Sequence, residues 1–415
     1  MNKKKPSVLL IATLDTKSEE ASFIREQLEA AGLKVYHMDA SIRQVMTGHA
    51  EISPDEIAGK AGSTLQEVRD LKHEGKCLEK MTEGAVICAM QLHKRIGLSG
   101  VIAIGGSMGT SLGTAVMREL PFGLPKVMVS TMASGMTRGF VGTKDIAMFH
   151  SVADISGINV ITRSVFHNAA MALAGQAFAN WGEPSSDKPL VVVSTLGTTE
   201  KCSLRVRKML EGHGFEVVVF HTTGTGGATM DEIIRDRDVS VVVDMSLSEI
   251  NDLLNGGLCS AGPDRCKAAI IKGVPTIFAP GNADFIIAGP HEQAVLQFPG
   301  KRYHVHNPAL TAVRTEAHDL KHLAEHMAKV ASMGSAPVAF FVPMQGFSAH
   351  DSADGFLHDL TLPPIFSGYL KEVMPERVVV REVDSHINDE PFADALVQQV
   401  LEFHSPVGLV RKSAC

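Results

Sequence analysis

Short apolar runs alternate along this chain with longer stretches of helical periodicity, and one arrangement of them occurs twice. The first copy, residues 8–39, reads VLLIATLDTKSEEASFIREQLEAAGLKVYHMD; the second, residues 190–221, reads LVVVSTLGTTEKCSLRVRKMLEGHGFEVVVFH. They superpose at a constant offset that sets Thr13 on Thr195, Leu14 on Leu196, Thr16 on Thr198, Leu28 on Leu210, Gly32 on Gly214 and Val35 on Val217. Each copy is an apolar strand, a polar turn, an amphipathic helix, a glycine that ends the helix, and a second strand. Two such βαβ starts predict an α/β protein of two Rossmann-like, doubly wound subdomains related by an internal repeat. The polar stretch WGEPSSDKP, residues 181–189, stands directly before the second copy, so the subdomains are expected at residues 1–184 and 185–415.

The same patterning predicts first-half strands at residues 7–12, 33–38, 101–104 and 126–131. Helices are expected at 17–31, 63–96 (broken near Gly75 and Gly84), 110–120 and an alanine-rich 159–180. In the second half, strands are expected at 190–194, 216–220, 239–243, 276–279, 338–342 and 377–381.

Candidate chemistry collects at the strand ends. Val101 to Ile104 run into Gly105, Gly106, Ser107, Gly109 and Thr110, and a helical pattern follows as far as Pro121. Strand, glycine loop and helix together present backbone N–H groups and a helix N-terminus to an anion, so the expected guest is a phosphate. The spacing is neither G-x-G-x-x-G nor G-x-x-x-x-G-K-[ST], which leaves an ordinary tight βα turn as the competing reading. At the end of the first strand, Thr16 and Glu19 are spaced as a capping box. Asp15 and Lys17 remain to face the crevice, where a carboxylate can hold Mg²⁺ and an ammonium can meet a phosphate. The second copy has Gly197 and Thr199 there, so the fold alone does not require the pair. Ser130, Thr131, Ser134 and Gly135 open a third such loop, expected as the facing wall.

In the second half, polar clusters again follow strands: Asn282 with Asp284; His304, His306 and Asn307, with Arg314 expected one helical stretch on; Ser348 with Asp351; and His386. His304 and His306, two apart, could take a divalent metal or serve as hydrogen-bonded structural residues. Ser348 lies outside a G-x-S-x-G elbow, which argues against a hydrolase nucleophile.

Charge and cysteine content narrow the picture. A net charge of −7 with mixed signs argues against a nucleic-acid partner. No apolar run reaches membrane-spanning length, and the basic start is followed too soon by Asp15, Lys17, Glu19 and Glu20 for a signal peptide. Six cysteines without C-x-x-C or zinc spacing fit reduced thiols and a cytoplasmic location.

Taken in order, Ala12-Thr-Leu-Asp-Thr-Lys17, Gly105-Gly-Ser-Met-Gly-Thr110, Val141-Gly-Thr-Lys-Asp145, Asp154-Ile-Ser-Gly-Ile-Asn159, Pro280-Gly-Asn-Ala-Asp284, His304-Val-His-Asn-Pro308, Gly346-Phe-Ser348 and His386-Ile-Asn-Asp389 resemble the ATP-binding domain family of the tomato mosaic virus resistance protein and its bacterial and fungal relatives. The resemblance implies two Rossmann-like subdomains, ATP binding and a homodimer; Asn282 departs from the pattern. The reading is a Mg-ATP-binding protein. Asp15, Thr16, Lys17, Gly105, Gly106, Ser107, Gly109, Thr110 and the Ser130, Thr131, Ser134 and Gly135 wall would hold the nucleotide, with Asp15 on the metal. An enzyme acting on a small acid or sugar-like metabolite in the cleft between the halves would draw its catalytic groups from Asp15, Lys17, His306, Arg314 and Asp351. Asn282, Asp284, His304, Asn307, Ser348 and His386 would contact the substrate. The alternatives are a nucleotide-gated protein-binding module and a metal-dependent lyase or isomerase.

Overall fold

The structure, a computed structural model, describes residues 5–43, 50–135, 137–179 and 186–405. It divides into two compact units, Met1–Pro184 and Ser185–Cys415. The first unit holds a five-stranded parallel sheet of β1 (Ser7–Ala12), β2 (Lys34–Asp39), β3 (Gly100–Gly105), β4 (Lys126–Ser130) and β5 (Ala147–His150), in the order β2-β1-β3-β4-β5. The central strands are unbroken apolar runs because both faces are covered. Leu9, Ile11, Val101, Ala103 and Met128 pack with helices Glu74–Ile96 and Ser107–Glu119. Val8, Leu10, Ile102, Ile104 and Val129 pack on the other side with Leu14–Ala30 and the alanine-rich Val160–Ala179.

The second unit repeats this plan. Its parallel sheet comprises β6 (Leu190–Thr195), β7 (Glu216–His221), β8 (Val239–Ser246) and β9 (Thr276–Gly281), continued after an insertion. That insertion is a three-stranded antiparallel sheet, β10 (Phe285–Ala288), β11 (Tyr303–Asn307) and β12 (Leu310–Arg314), which precedes β13 (Val338–Pro343) and β14 (Val379–Val383). The large sheet runs β7-β6-β8-β9-β13-β14, so its first five strands have the same spatial order as those of the first unit. The repeat in the sequence is therefore a repeat of topology.

Three expectations are corrected. The stretch between His306 and Arg314 is a β-hairpin, since Asn307 Oδ1 accepts from Ala309 N and Leu310 N and turns the chain back. The long helix breaks at residues 71–73, near Gly75 as expected, but runs straight through Gly84. A Cβ on Gly84 would stand 1.9 Å from Ile57 O, so this glycine lets the helix Pro54–Lys60 cross close by. Thr16 and Glu19 form no capping box: the first helix begins at Leu14 and takes its cap from elsewhere. Asp39 Oδ1, at the end of β2, accepts from Leu14 N at 3.0 Å, and Ser41 Oγ accepts from Asp15 N at 3.0 Å. Among the described residues no helix is long and apolar enough to cross a membrane.

Candidate functional site

In the order β2-β1-β3-β4-β5, the chain leaves β1 toward one side of the sheet and leaves β3 toward the other. The two departing loops separate there, and a crevice opens beyond the strand ends. It has a volume of about 440 Å³. Thr13, Asp15, Thr16 and Lys17 line it from the β1 side, and Gly105, Gly106, Ser107 and Gly109 from the β3 side. Ile11, Ile42, Leu78 and Leu112 make an apolar part, and Arg43, Lys72, His73 and Glu74 contribute charged and polar groups.

The glycines divide by role. A Cβ on Gly105 would stand 2.6 Å from Gly109 Cα, and one on Gly109 would stand 3.2 Å from Ile104 O. Both are needed to press the first turn of Ser107–Glu119 onto the end of β3. A Cβ on Gly106 meets nothing nearer than Thr131 Oγ1 at 3.9 Å, and its backbone is extended (φ −74°, ψ −159°). Neither packing nor backbone strain requires glycine at 106. As the N-cap it brings no capping side chain, so the N–H groups of the first helical turn are left to whatever occupies the crevice. Lys17 interrupts its own helix (φ −134°, ψ 27°) and makes no ion pair among the described residues. Asp15 Oδ2 accepts from Arg43 N at 3.0 Å, which orients the carboxylate and leaves Oδ1 uncommitted.

The facing wall is differently made. Thr110 and Ser130 are fully buried and share a 2.6 Å hydroxyl hydrogen bond behind the loop, and Thr131 N donates to Gly105 O. Thr131, Ser134 and Gly135 follow in turns outside the crevice lining. Sequence reasoning missed Asp39 and Ser41, which fix the first helix, and Arg43. The available signal was an acid closing the second strand of a βαβ unit.

Strand register identifies the same place in the second unit. Ile11 pairs with Ala103 and Val193 with Val243, which sets Gly106 against Ser246. There the gap is filled. Ser246 Oγ hydrogen-bonds Thr222 Oγ1 at 2.7 Å and accepts from Asn282 Nδ2 at 2.8 Å, and Thr198 Oγ1 donates to Asn282 Oδ1. Asn282 is fully buried at φ 60°, a left-handed conformation that asparagine tolerates better than most residues. Behind it, Arg265 is buried against Asp244 (2.6 Å) and Glu249 (2.7 Å).

The other second-half candidates separate into an interior group and an open one. Asp284, Arg314, Ser348 and Asp351 are buried together. Ser348 Oγ donates to Asp284 Oδ2 at 2.7 Å, while Arg314 lies 3.2 Å from Asp351 and 3.7 Å from Asp284. Burial, with Asp284 alongside, pushes the Asp351 carboxyl up to about 7, and burial raises Asp284 despite Arg314. Arg314 and Asp351, catalytic candidates in the sequence, pair across the β12 end and the turn after β13, and Asn307 closes the hairpin. His386 Nε2 donates to Ser348 O (2.9 Å) and lines an open basin of about 1020 Å³ with Thr198, Lys201, Gln345, His358 and Asn388. His304 and His306 lie apart from it, beside His350.

In sequence, residues 6–181 match the N-terminal domain of the Uncharacterised protein family (UPF0261), and residues 188–404 match its C-terminal domain. The chain is 36% identical to a UPF0261 protein of Clostridium tetani over 97% of its length and 99% of that protein's. It is 34% identical to UPF0261 protein mlr3387 of Mesorhizobium japonicum, over 94% and 97%. With the ToMV resistance protein Tm-1(GCR237) of Solanum lycopersicum it shares 30% identity over 96% of this chain and 56% of the longer tomato protein. A solved Streptomyces glycosyltransferase complexed with thymidine diphosphate aligns over 95% of this chain and 99% of that one, at 12% identity and a TM-score of 0.21, too low to carry an argument.

Proposed function

We propose, for a chain that belongs to the UPF0261 family, that the crevice of the first unit binds Mg-ATP and that the protein uses it on a small acid or sugar-like metabolite taken up by the second unit. The observation that carries the reading is the contrast between two equivalent places. Ser246 and Asn282 fill one with hydrogen-bonded side chains, while Gly106 leaves the other open before a bare helix N-terminus. An anion is the guest such a terminus stabilises, through N–H donors and the helix dipole. Lys17 supplies a cation at the rim, Asp15 Oδ1 a ligand for Mg²⁺, and the apolar part of the crevice a surface for the base. The choice of ATP among phosphates, a homodimer and a cytoplasmic location rest on the family resemblance and composition set out above.

A second reading, a nucleotide-gated module that binds another protein without catalysis, draws support from the burial of Arg314 and Asp351, which pair with each other inside the second unit. Calorimetric titration of the full chain with Mg-ATP, AMP and inorganic phosphate tests the common core of both readings. ATP should bind at one site per chain, with AMP weaker; no heat with any of the three refutes it. ATP turnover on adding sugar acids then separates enzyme from module.

A further inference from the structure

A cavity of about 300 Å³ lies in the second unit where β12 stops and the helix Ala317–Ala331 starts. Arg314 and Thr315 are buried in its lining, and Lys301, Arg302, Glu316 and Asp359 stand around them, more exposed. Arg314 is placed there by register. It pairs with Phe285 as the last residue of β12, and its N–H donates to Arg302 O.

The Arg314 side chain is 3% exposed. A guanidinium buried that deeply ordinarily satisfies its N–H groups with acceptors. Here Nη1 donates to Asp284 O at 3.1 Å, but Nε and Nη2 donate to no described residue. Asp351 is within ion-pairing distance, at 3.2 Å, yet its oxygens are committed elsewhere: Oδ1 accepts from Asp359 N at 3.0 Å and Oδ2 from Phe347 N at 3.1 Å. Asp284 Oδ2 is 3.7 Å away, beyond hydrogen-bonding distance, and accepts from Ser348 Oγ. Nε and Nη2 share the edge of the guanidinium that receives both oxygens of a carboxylate in parallel. Arg205, in the same unit, uses that edge on Asp394, through Nε at 2.6 Å and Nη2 at 3.0 Å. On Arg314 the same pair of donors has no acceptor among the described residues.

We propose that Arg314 holds the carboxylate of a small organic monoacid in this cavity, with the two oxygens on Nε and Nη2. Lys301 and Arg302 at the rim and the first N–H groups of helix Ala317–Ala331 add positive potential. Glu316 and Asp359 line the same space, and they oppose a dianion such as phosphate more strongly than a single carboxylate. The volume is at the small end of ligand sites, so the acid is one of few carbon atoms. The site gives the acid of the proposed reaction its place in the second unit, and in that respect rests on that reading; the binding step itself needs no nucleotide.

The test is calorimetric titration of the full chain, without nucleotide, with acetate, glycolate and pyruvate at ionic strength held constant with sodium chloride. At least one of the three should bind saturably at one site per chain, and inorganic phosphate and glycerol should bind more weakly. Arg314→Lys keeps the counter-charge for Asp284 and Asp351 but loses the fork, and should weaken acid binding by about 10-fold or more. Arg302→Glu, at the exposed rim, should weaken it by about 3-fold or more, while Lys208→Glu, an equal change of charge on an exposed helix position elsewhere, should leave it unchanged. Should Arg314→Lys fail to fold, the comparison of Arg302→Glu with Lys208→Glu decides alone. No saturable binding of any of the three acids, undiminished affinity in a folded Arg314→Lys, or equal effects of Arg302→Glu and Lys208→Glu would overturn the assignment. Acid binding without Mg-ATP binding would leave this site standing and remove the ATP reading; Mg-ATP binding without acid binding would do the reverse.

Discussion

Gly106→Val separates ligand recognition from folding. The new side chain would enter open space, since its Cβ is 3.9 Å from the nearest atom, and the backbone at 106 is one that any residue adopts. The melting temperature of the free protein should therefore stay within a few degrees. Binding should suffer, because the branches of valine project where a phosphate would approach the N–H groups. At a ligand concentration 100 times Kd the native state gains about 2.7 kcal/mol. For a unit of 184 residues that corresponds to a rise of about 5–10 °C. Loss of two charge-assisted hydrogen bonds, each contributing about 1.5–3 kcal/mol, exceeds that gain, so the shift should vanish. Gly105→Ala is the complementary control: its Cβ would clash at 2.6 Å, and the free protein itself should melt lower. Thermal unfolding with and without millimolar Mg-ATP reads both. A full ATP shift in Gly106→Val, or equal shifts with AMP and ATP, would mean that the phosphates are held elsewhere.

Other consequences can be measured directly. Asn282→Ala should cost about 2–4 kcal/mol in urea unfolding, from the left-handed backbone and the lost hydrogen bonds to Ser246 and Thr198, and Asn282→Gly should recover the backbone part. Arg265→Met should destabilise by about 3–5 kcal/mol, because Asp244 and Glu249 lose their buried counter-charge; a loss under about 1 kcal/mol would contradict that picture. His37 is buried on β2 with its pKa lowered to about 4, mainly by burial. A lowered folded-state value means that its contribution is complete above the unfolded value near 6.5 and is lost as pH falls through 4. Wild type should lose about 2 kcal/mol from this group between pH 7 and 5. His37→Leu should lack that component of the pH dependence, and parallel curves for the two proteins would exclude it.

What could be read from the sequence was whatever is local and periodic. The strand and helix of each copy, and the glycines after β3, announce themselves within a dozen residues. The antiparallel insertion did not, because residues 303–307 are half-buried to exposed and their alternation, Tyr303 and Val305 against His304 and His306, is too short to mark a strand. The cap of the first helix comes from Asp39, 25 positions away, so the nearby Thr16 and Glu19 offered a plausible but false box. Arg265, just after Asp264 and two positions before Lys267, reads as a surface charge; its acids lie at positions 231, 244 and 249. Of the site, the two lining loops of the crevice were legible and brought together. The buried fate of Thr110, Ser130, Arg314 and Asp351 was not, since residue type does not reveal which polar groups pair with one another inside.

The contact of Gly105 with Gly109 has a consequence for the timing of binding. Because the loop is wedged between strand and helix, the donors of the first turn lose their conformational entropy when the chain folds. A ligand that reaches them has no loop to order, so its association should be fast, set by diffusion and by the rim charges, and should slow with added salt.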